Sequence, residues 1–274
     1  MVYYRIFDGV NKVLQQNKYK LIAFDIDGTI LDNNHQVCKK LIEVVAKLKQ
    51  KGFLFTLVSA RMPQSVITIA KELGIDNQHI VALNGSLVTD NHHDILYNKN
   101  FPLGRVRDTL MGLDTQVSRN YYNTFDWFME YPNLFTQNEI LSMDNRVLPK
   151  IGEVPQDVNK ITLVGEADLL ANAQAKLVQD DSLLVSFSHT HYLEITCNTI
   201  SKFNGLAYYA DKLSIPIAQV IAFGDGENDI PMLSGVGLGV AMGNAKEHVK
   251  AAAKDVAGNN YEEGVANYLS KLFL

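Results

Sequence analysis

The sequence predicts an α/β protein, a parallel sheet with helices on its faces, interrupted by an inserted α+β unit. Three observations predict it. The short apolar runs LIAF, FLFTLV and QVIAF each lead into a loop carrying small or acidic residues, as strands buried on both faces do. Amphipathic helical stretches alternate with these runs towards both ends of the chain. Between them, from about residue 86 to residue 197, the rhythm changes to hairpins with few helical stretches.

LIAF, residues 21–24, is the first strand. From Val37 onward, Leu41, Val44, Val45 and Leu48 fall on one helical face until Gly52 supplies a stop. FLFTLVSA is the second strand, and Pro63 opens a helix whose Val66, Ile69, Ala70 and Leu73 face inward before Gly74. HIVALNGS carries the third strand. After Gly85, LVTDNHHDILY reads as a hairpin with a polar turn, followed by a helix near Val106 and Leu110. Tyr121, Tyr122, Phe125, Trp127, Phe128 and Tyr131 are then expected in the core of the inserted unit or on a dimer surface. NKITLVGE, the helical ADLLANAQAKLV and the paired strands of SLLVSFSHTHYLEIT complete the insertion. The α/β rhythm resumes with the helix SKFNGLAYYADKLSI, the strand and loop QVIAFGDGEND and the strand LGVAM. AKEHVKAAAKDVA and YEEGVANYLSKLFL read as closing helices. Residues 1–85 and 198–274 are thus expected to form a core and 86–197 a cap, with Tyr4, Phe7, Val10 and Leu14 packing as a helix on the core.

With 274 residues, 47% of them hydrophobic and 20% charged, the chain is expected to be globular and soluble. The net charge of −5, with both signs scattered, offers no basic stripe for nucleic acid, so a small ligand is the expected partner. Cys38 and Cys197 make neither a disulfide framework nor a closed zinc site. The start lacks the pattern of a leader, and no apolar run has membrane-spanning length. A cytoplasmic monomer or homodimer with no membrane partner is the expectation.

Ligands of open α/β sheets bind outside the carboxyl ends of the strands. Asp25 and Asp27 leave one such end, and Asp225 and Asp229 leave another. Four carboxylates in one crevice repel one another unless a cation sits among them, and hard oxygen ligands suit Mg²⁺. Ser59, at the end of the second strand, and Lys202, at a helix start, are placed to hold an anion beside the metal. Backbone N–H groups around Gly28 and Thr29 add donors at a turn. A phosphoryl group fits this set. Asp25 is then placed to attack phosphorus, while Asp27 protonates the leaving alkoxide and later takes a proton from water. His92, His93, His189 and His191 fall in polar hairpins and receive no ligand role, and Asn244 is expected to cap a helix beginning at Ala245.

FDIDGTILD, Ser59 in LVSAR, Lys202 in ISKFNGL, and GDGENDIPML resemble the four ordered motifs of the haloacid dehalogenase superfamily. The insertion, the NGS after the third strand and AMGNA resemble its Cof-type branch, which carries a large α/β cap on a Rossmann-like core. The resemblance implies a magnesium-dependent phosphatase of sugar phosphates or similar small esters. It implies Asp25 as nucleophile, Asp27 as general acid and base, and Ser59 and Lys202 as phosphate holders, joined by Asn228. Asp225 and Asp229 become the metal-site acids, with Arg61, Asn84 and Gly85 as further substrate contacts. The chain departs from the pattern where Ser-Ala-Arg replaces the common Thr-Gly-Arg, and where Phe203 to Gly205 follow Lys202 in place of an immediate glycine. Two other readings stand beside this one: a phosphomutase that returns the phosphoryl group to a sugar, and a regulatory protein that binds phosphate ligands without turnover.

Overall fold

The apolar run Leu21–Phe24 (β1) is fully buried and pairs in parallel with a strand on each side, which explains why it lacks polar alternation. The computed structural model describes residues 18–132 and 147–274. The expected helix through Tyr4 and Leu14 and the tail of the aromatic stretch, residues 133–135, lie outside the described residues. β1 leads through α1 (Lys39–Gln50), β2 (Leu54–Leu57) and α2 (Pro63–Glu72) to β3 (Ile80–Ala82). Leu41, Val44, Val45 and Leu48 are the buried face of α1, as their spacing predicts, and Pro63 is the first residue of α2.

The hairpin of β4 (Leu87–Thr89) and β5 (Ile95–Asn98) was expected to open the insertion. β4 pairs with β3 instead, and β5 with β4, in a three-stranded antiparallel sheet joined to the core by a parallel bridge from Val58 to Val81. Hairpin periodicity does not distinguish a strand that joins the preceding sheet from one that starts a new unit.

The inserted segment continues with β6 (Phe101–Pro102), α3 (Arg107–Met111), β7 (Ser118–Asn123), β8 (Asp126–Met129), β9 (Lys150–Ile151), β10 (Asp157–Val158), β11 (Lys160–Val164), α4 (Ala167–Leu177), β12 (Leu183–His189) and β13 (Tyr192–Cys197). Six of these strands form one sheet in the order β12-β13-β11-β7-β8-β9. One face is apolar, with Tyr121, Ile161, Leu163, Leu193 and Ile195 clustered with Leu170, Ala173 and Leu177 of α4. The aromatic stretch divides accordingly: Tyr121, Tyr122 and Trp127 are buried, whereas Tyr131 is at the surface.

The chain returns through α5 (Lys202–Lys212), β14 (Val220–Gly224), α6 (Ile230–Gly235), β15 (Leu238–Ala241), α7 (Glu247–Ala252), β16 (Asp255–Val256) and α8 (Gly264–Phe273). The five-stranded core sheet has the order β16-β15-β14-β1-β2, with every pair parallel. Ile22 and Phe24 pack on one face with α1 and α8, and Leu21 and Ala23 on the other with α5 and α6. The helix expected to run through Val256 ends at Ala252, and Asp255–Val256 adds an edge strand beside β15. Two residues carry no detectable period, so this edge strand had no signature of its own.

Candidate active site

β1 and β14 are neighbours in register, Phe24 opposite Phe223, so the loops that follow them begin side by side. Asp25 and Asp225 leave these two ends. Gly28 lets the first loop turn with φ 74°, and a Cβ there would lie 2.2 Å from Asp225 Oδ2. Glycine at this position therefore lets the two acidic loops touch.

Lys202 Nζ donates to Asp25 Oδ1 and to Asp229 Oδ1, each at 2.7 Å, with all three side chains buried. Asp229 Oδ2 accepts from the backbone N–H groups of Asp225 and Gly226 at 3.0 and 2.9 Å, fixing the GDGEND loop. Thr29 Oγ1 donates to Asp25 Oδ2 at 3.0 Å and lies 3.4 Å from Asp225 Oδ1. One oxygen from each of Asp25, Asp225 and Asp229 lies within 4.8 Å of the others. Burial above all, and next the charge of Asp229, push Asp25 well above the usual carboxylate range, against the pull of Lys202. The same causes push Asp225 up to about 6. Burial alone lowers the Lys202 ammonium, but Asp229 and Asp25 outweigh it and hold it firmly protonated.

Fully ionised, three carboxylates against one ammonium carry two net negative charges in a desolvated cleft, a charge that a divalent cation matches. All-oxygen donors suit Mg²⁺. The Asp27 carboxylate is not part of this cluster. Its carboxylate, about half exposed, turns to Arg61, which grips both oxygens.

Asp25, Asp27, Ser59, Arg61, Asn84, Lys202, Asp225, Asn228 and Asp229 all line one crevice of about 1160 Å³ between the ends of the core strands and the inserted sheet. Asn228 Nδ2 donates to Asn84 Oδ1 at 3.1 Å, and Ser59 Oγ accepts from the Arg61 backbone. Gly85 takes another position. Its φ is 97° and a Cβ would meet the Ser201 carbonyl at 2.0 Å, so it packs against the start of α5.

Residues 22–269 match the family model of haloacid dehalogenase-like hydrolases. The chain belongs to this family. A Haemophilus influenzae protein designated "Putative phosphatase" is 29% identical over 267 residues, 93% of this chain and 98% of that protein. A Bacillus subtilis protein of like designation is 29% identical over 273 residues, 93% of this chain and 99% of its own length. A haloacid dehalogenase-like hydrolase from Bacteroides thetaiotaomicron has a crystal structure similar to this one with a TM-score of 0.82 at 26% identity, covering 93% of this chain and 100% of that one.

Some residues of this haloacid dehalogenase-like hydrolase escaped sequence reasoning. Asn244 caps nothing: α7 begins at Glu247, and Asn244 Nδ2 donates instead to the Gly28 carbonyl at 2.9 Å, with Asp225 Oδ2 at 3.4 Å. It ties the two acidic loops together. Tyr122, Lys160, Thr162 and Glu194 of the inserted sheet also face the crevice. The available signal was the polar residue at alternate positions of an otherwise apolar strand, as in KITLV. No helix among the described residues is long and apolar enough to cross a membrane.

Proposed function

We propose that this enzyme hydrolyses small phosphate monoesters, with Mg²⁺ bound by Asp25, Asp225 and Asp229, through a phosphorylated Asp25. The observation that supports this reading best is the shared grip of Lys202 on Asp25 and Asp229 beside Asp225. It aims one Asp25 oxygen and gathers the acids that a divalent cation needs. Bound there, the cation supplies charge neutralisation for the incoming phosphoryl oxygens.

Asp25 attacks phosphorus, forming an O–P bond as the ester P–O bond breaks. Asp27 gives its proton to the departing alkoxide. Water then attacks the phosphorylated Asp25, Asp27 takes the water's proton, and the aspartyl O–P bond breaks to release phosphate. Ser59, Lys202 and Asn228 hold the phosphoryl oxygens, helped by the Gly28 backbone N–H, whereas the Thr29 N–H expected beside it donates to the Ile26 carbonyl at 3.2 Å. Arg61 sets the direction of the Asp27 carboxylate, and Asn84 positions Asn228.

The segment from Phe101 to Cys197 acts as the cap and contributes the side of the crevice that meets the leaving group. The test is a panel of phosphate esters, including p-nitrophenyl phosphate, assayed with the purified enzyme with and without Mg²⁺. Metal-dependent release of phosphate, abolished by Asp25→Asn, is the expected outcome. Turnover only in the presence of a sugar bisphosphate activator would instead mark a mutase.

A further inference from the structure

The roof of the crevice is a polar sheet face whose composition the fold does not require. Strand β11 alternates: Ile161 and Leu163 enter the apolar core of the insertion, while Lys160 and Thr162 face the other way. In the sheet register Tyr122 stands opposite Lys160, Glu194 opposite Thr162, and Ser186 opposite Glu194. These five side chains form a continuous polar patch lining the crevice that holds Asp25 and Asp27.

Lys160 Nζ lies 3.2 Å from Glu194 Oε1, and both side chains are about nine-tenths buried. A buried ion pair is weak evidence for stability, because desolvation offsets the attraction. The ammonium also donates to the Ala60 carbonyl at 2.9 Å and sits 5.1 Å from the centre of the Tyr122 ring. Its charge is therefore balanced and screened. Among the described residues, Glu194 Oε2 has no hydrogen-bond partner. Thr162 is 2% exposed, and its hydroxyl has no partner either. A buried hydroxyl normally finds a partner, so this one is set for something that enters the crevice.

We propose that Thr162 and the Lys160–Glu194 pair form the leaving-group subsite, and that it selects an uncharged leaving group bearing hydroxyls. This rests on the phosphatase reading above. A substrate hydroxyl can donate to Glu194 and exchange a hydrogen bond with Thr162. A second phosphate or a carboxylate meets the charge of Glu194, while the neighbouring Lys160 ammonium is already engaged by Glu194 and the Ala60 carbonyl. The pair thus discriminates by charge, and the threonine by hydrogen bonding.

The test compares kcat/KM for neutral sugar and polyol monophosphates, sugar bisphosphates and p-nitrophenyl phosphate in the wild type, Thr162→Val, Thr162→Ser and Glu194→Gln. Thr162→Val is expected to lower the ratio of the best polyol monophosphate to p-nitrophenyl phosphate by about tenfold or more, with Thr162→Ser restoring most of it. Glu194→Gln, which unbalances Lys160, is expected to shift preference towards bisphosphates by about tenfold or more. Flat ratios in both variants, or a wild type that prefers a doubly charged substrate, would overturn the subsite while leaving the phosphatase reading intact. Absence of turnover on every ester, p-nitrophenyl phosphate included, would remove both. If Thr162→Val fails to fold, the Glu194→Gln preference decides alone.

Discussion

Arg61 holds Asp27 by both carboxylate oxygens, Nε donating to Oδ2 at 2.8 Å and Nη2 to Oδ1 at 2.6 Å. A forked contact fixes direction as well as distance. Asp27→Asn keeps a similar shape but removes the group that transfers the proton in the proposed reaction. Its loss of kcat/KM should be smaller for p-nitrophenyl phosphate, whose leaving group needs little protonation, than for an alkyl phosphate. Arg61→Gln should weaken the same step, and the double variant should be little worse than Asp27→Asn alone. Additive losses would show that the two side chains act separately.

Asp25→Asn should lose activity by about a thousandfold or more on every ester while remaining folded, because the variant lacks the carboxylate proposed to attack phosphorus. Acid quenching of the unmodified enzyme during turnover should leave phosphate on the peptide containing Asp25. Phosphate on a serine or histidine peptide would contradict the mechanism.

The raised carboxyls give a pH signature to metal binding. Asp225 titrates near 6 in the fold, against an ordinary value of 3.8, so its protonated form favours the folded protein. That contribution is present below the ordinary value and is lost as pH rises through about 6. In the proposed site Mg²⁺ takes the place of the proton above that point. Thermal unfolding should therefore show a larger Mg²⁺-induced rise in Tm at about pH 7.5 than at about pH 5.5. Equal rises would argue that the cation does not bind among Asp25, Asp225 and Asp229.

Asn244 touches Asp225 and the carbonyl of Gly28 without belonging to the acidic cluster. Asn244→Ala should weaken Mg²⁺ affinity by about ten- to hundredfold, the usual cost of losing support behind a ligand, with most of the rate recovered at saturating Mg²⁺. Titration of activity against Mg²⁺ measures both quantities.

Much of this arrangement was legible because it rests on short-range chemistry. LIAF before Asp25 and QVIAF before GDGEND announce buried strands ending in acids, and the sheet brings those ends together. Helical spacing picked out the buried faces of α1 and α2. What escaped depends on pairing across long sequence distances. The hairpin from Leu87 to Asn98 has the same period whether it joins β3 or the insertion. Asn244 sits just before a helix, where capping is the common use, and only the folded loops reveal that it reaches Gly28. Lys160 and Glu194 read singly as charged strand residues, and their pairing depends on the β11–β13 register.

The splitting of the core by the insertion has a consequence for biosynthesis. β1 appears early in the chain, yet one of its two neighbours is β14, so Leu21 stays unpaired on that side until Val220 has been made. The inserted sheet draws all its strands from the intervening stretch and can form while the ribosome is still working. Lys202, Asp225 and Asp229 come after it, which means that Asp25 acquires its neighbours only as synthesis nears completion. A nascent chain arrested before Val220 would carry every strand of the inserted sheet and Asp25 but neither Asp225 nor Asp229, so the acidic cluster is completed late.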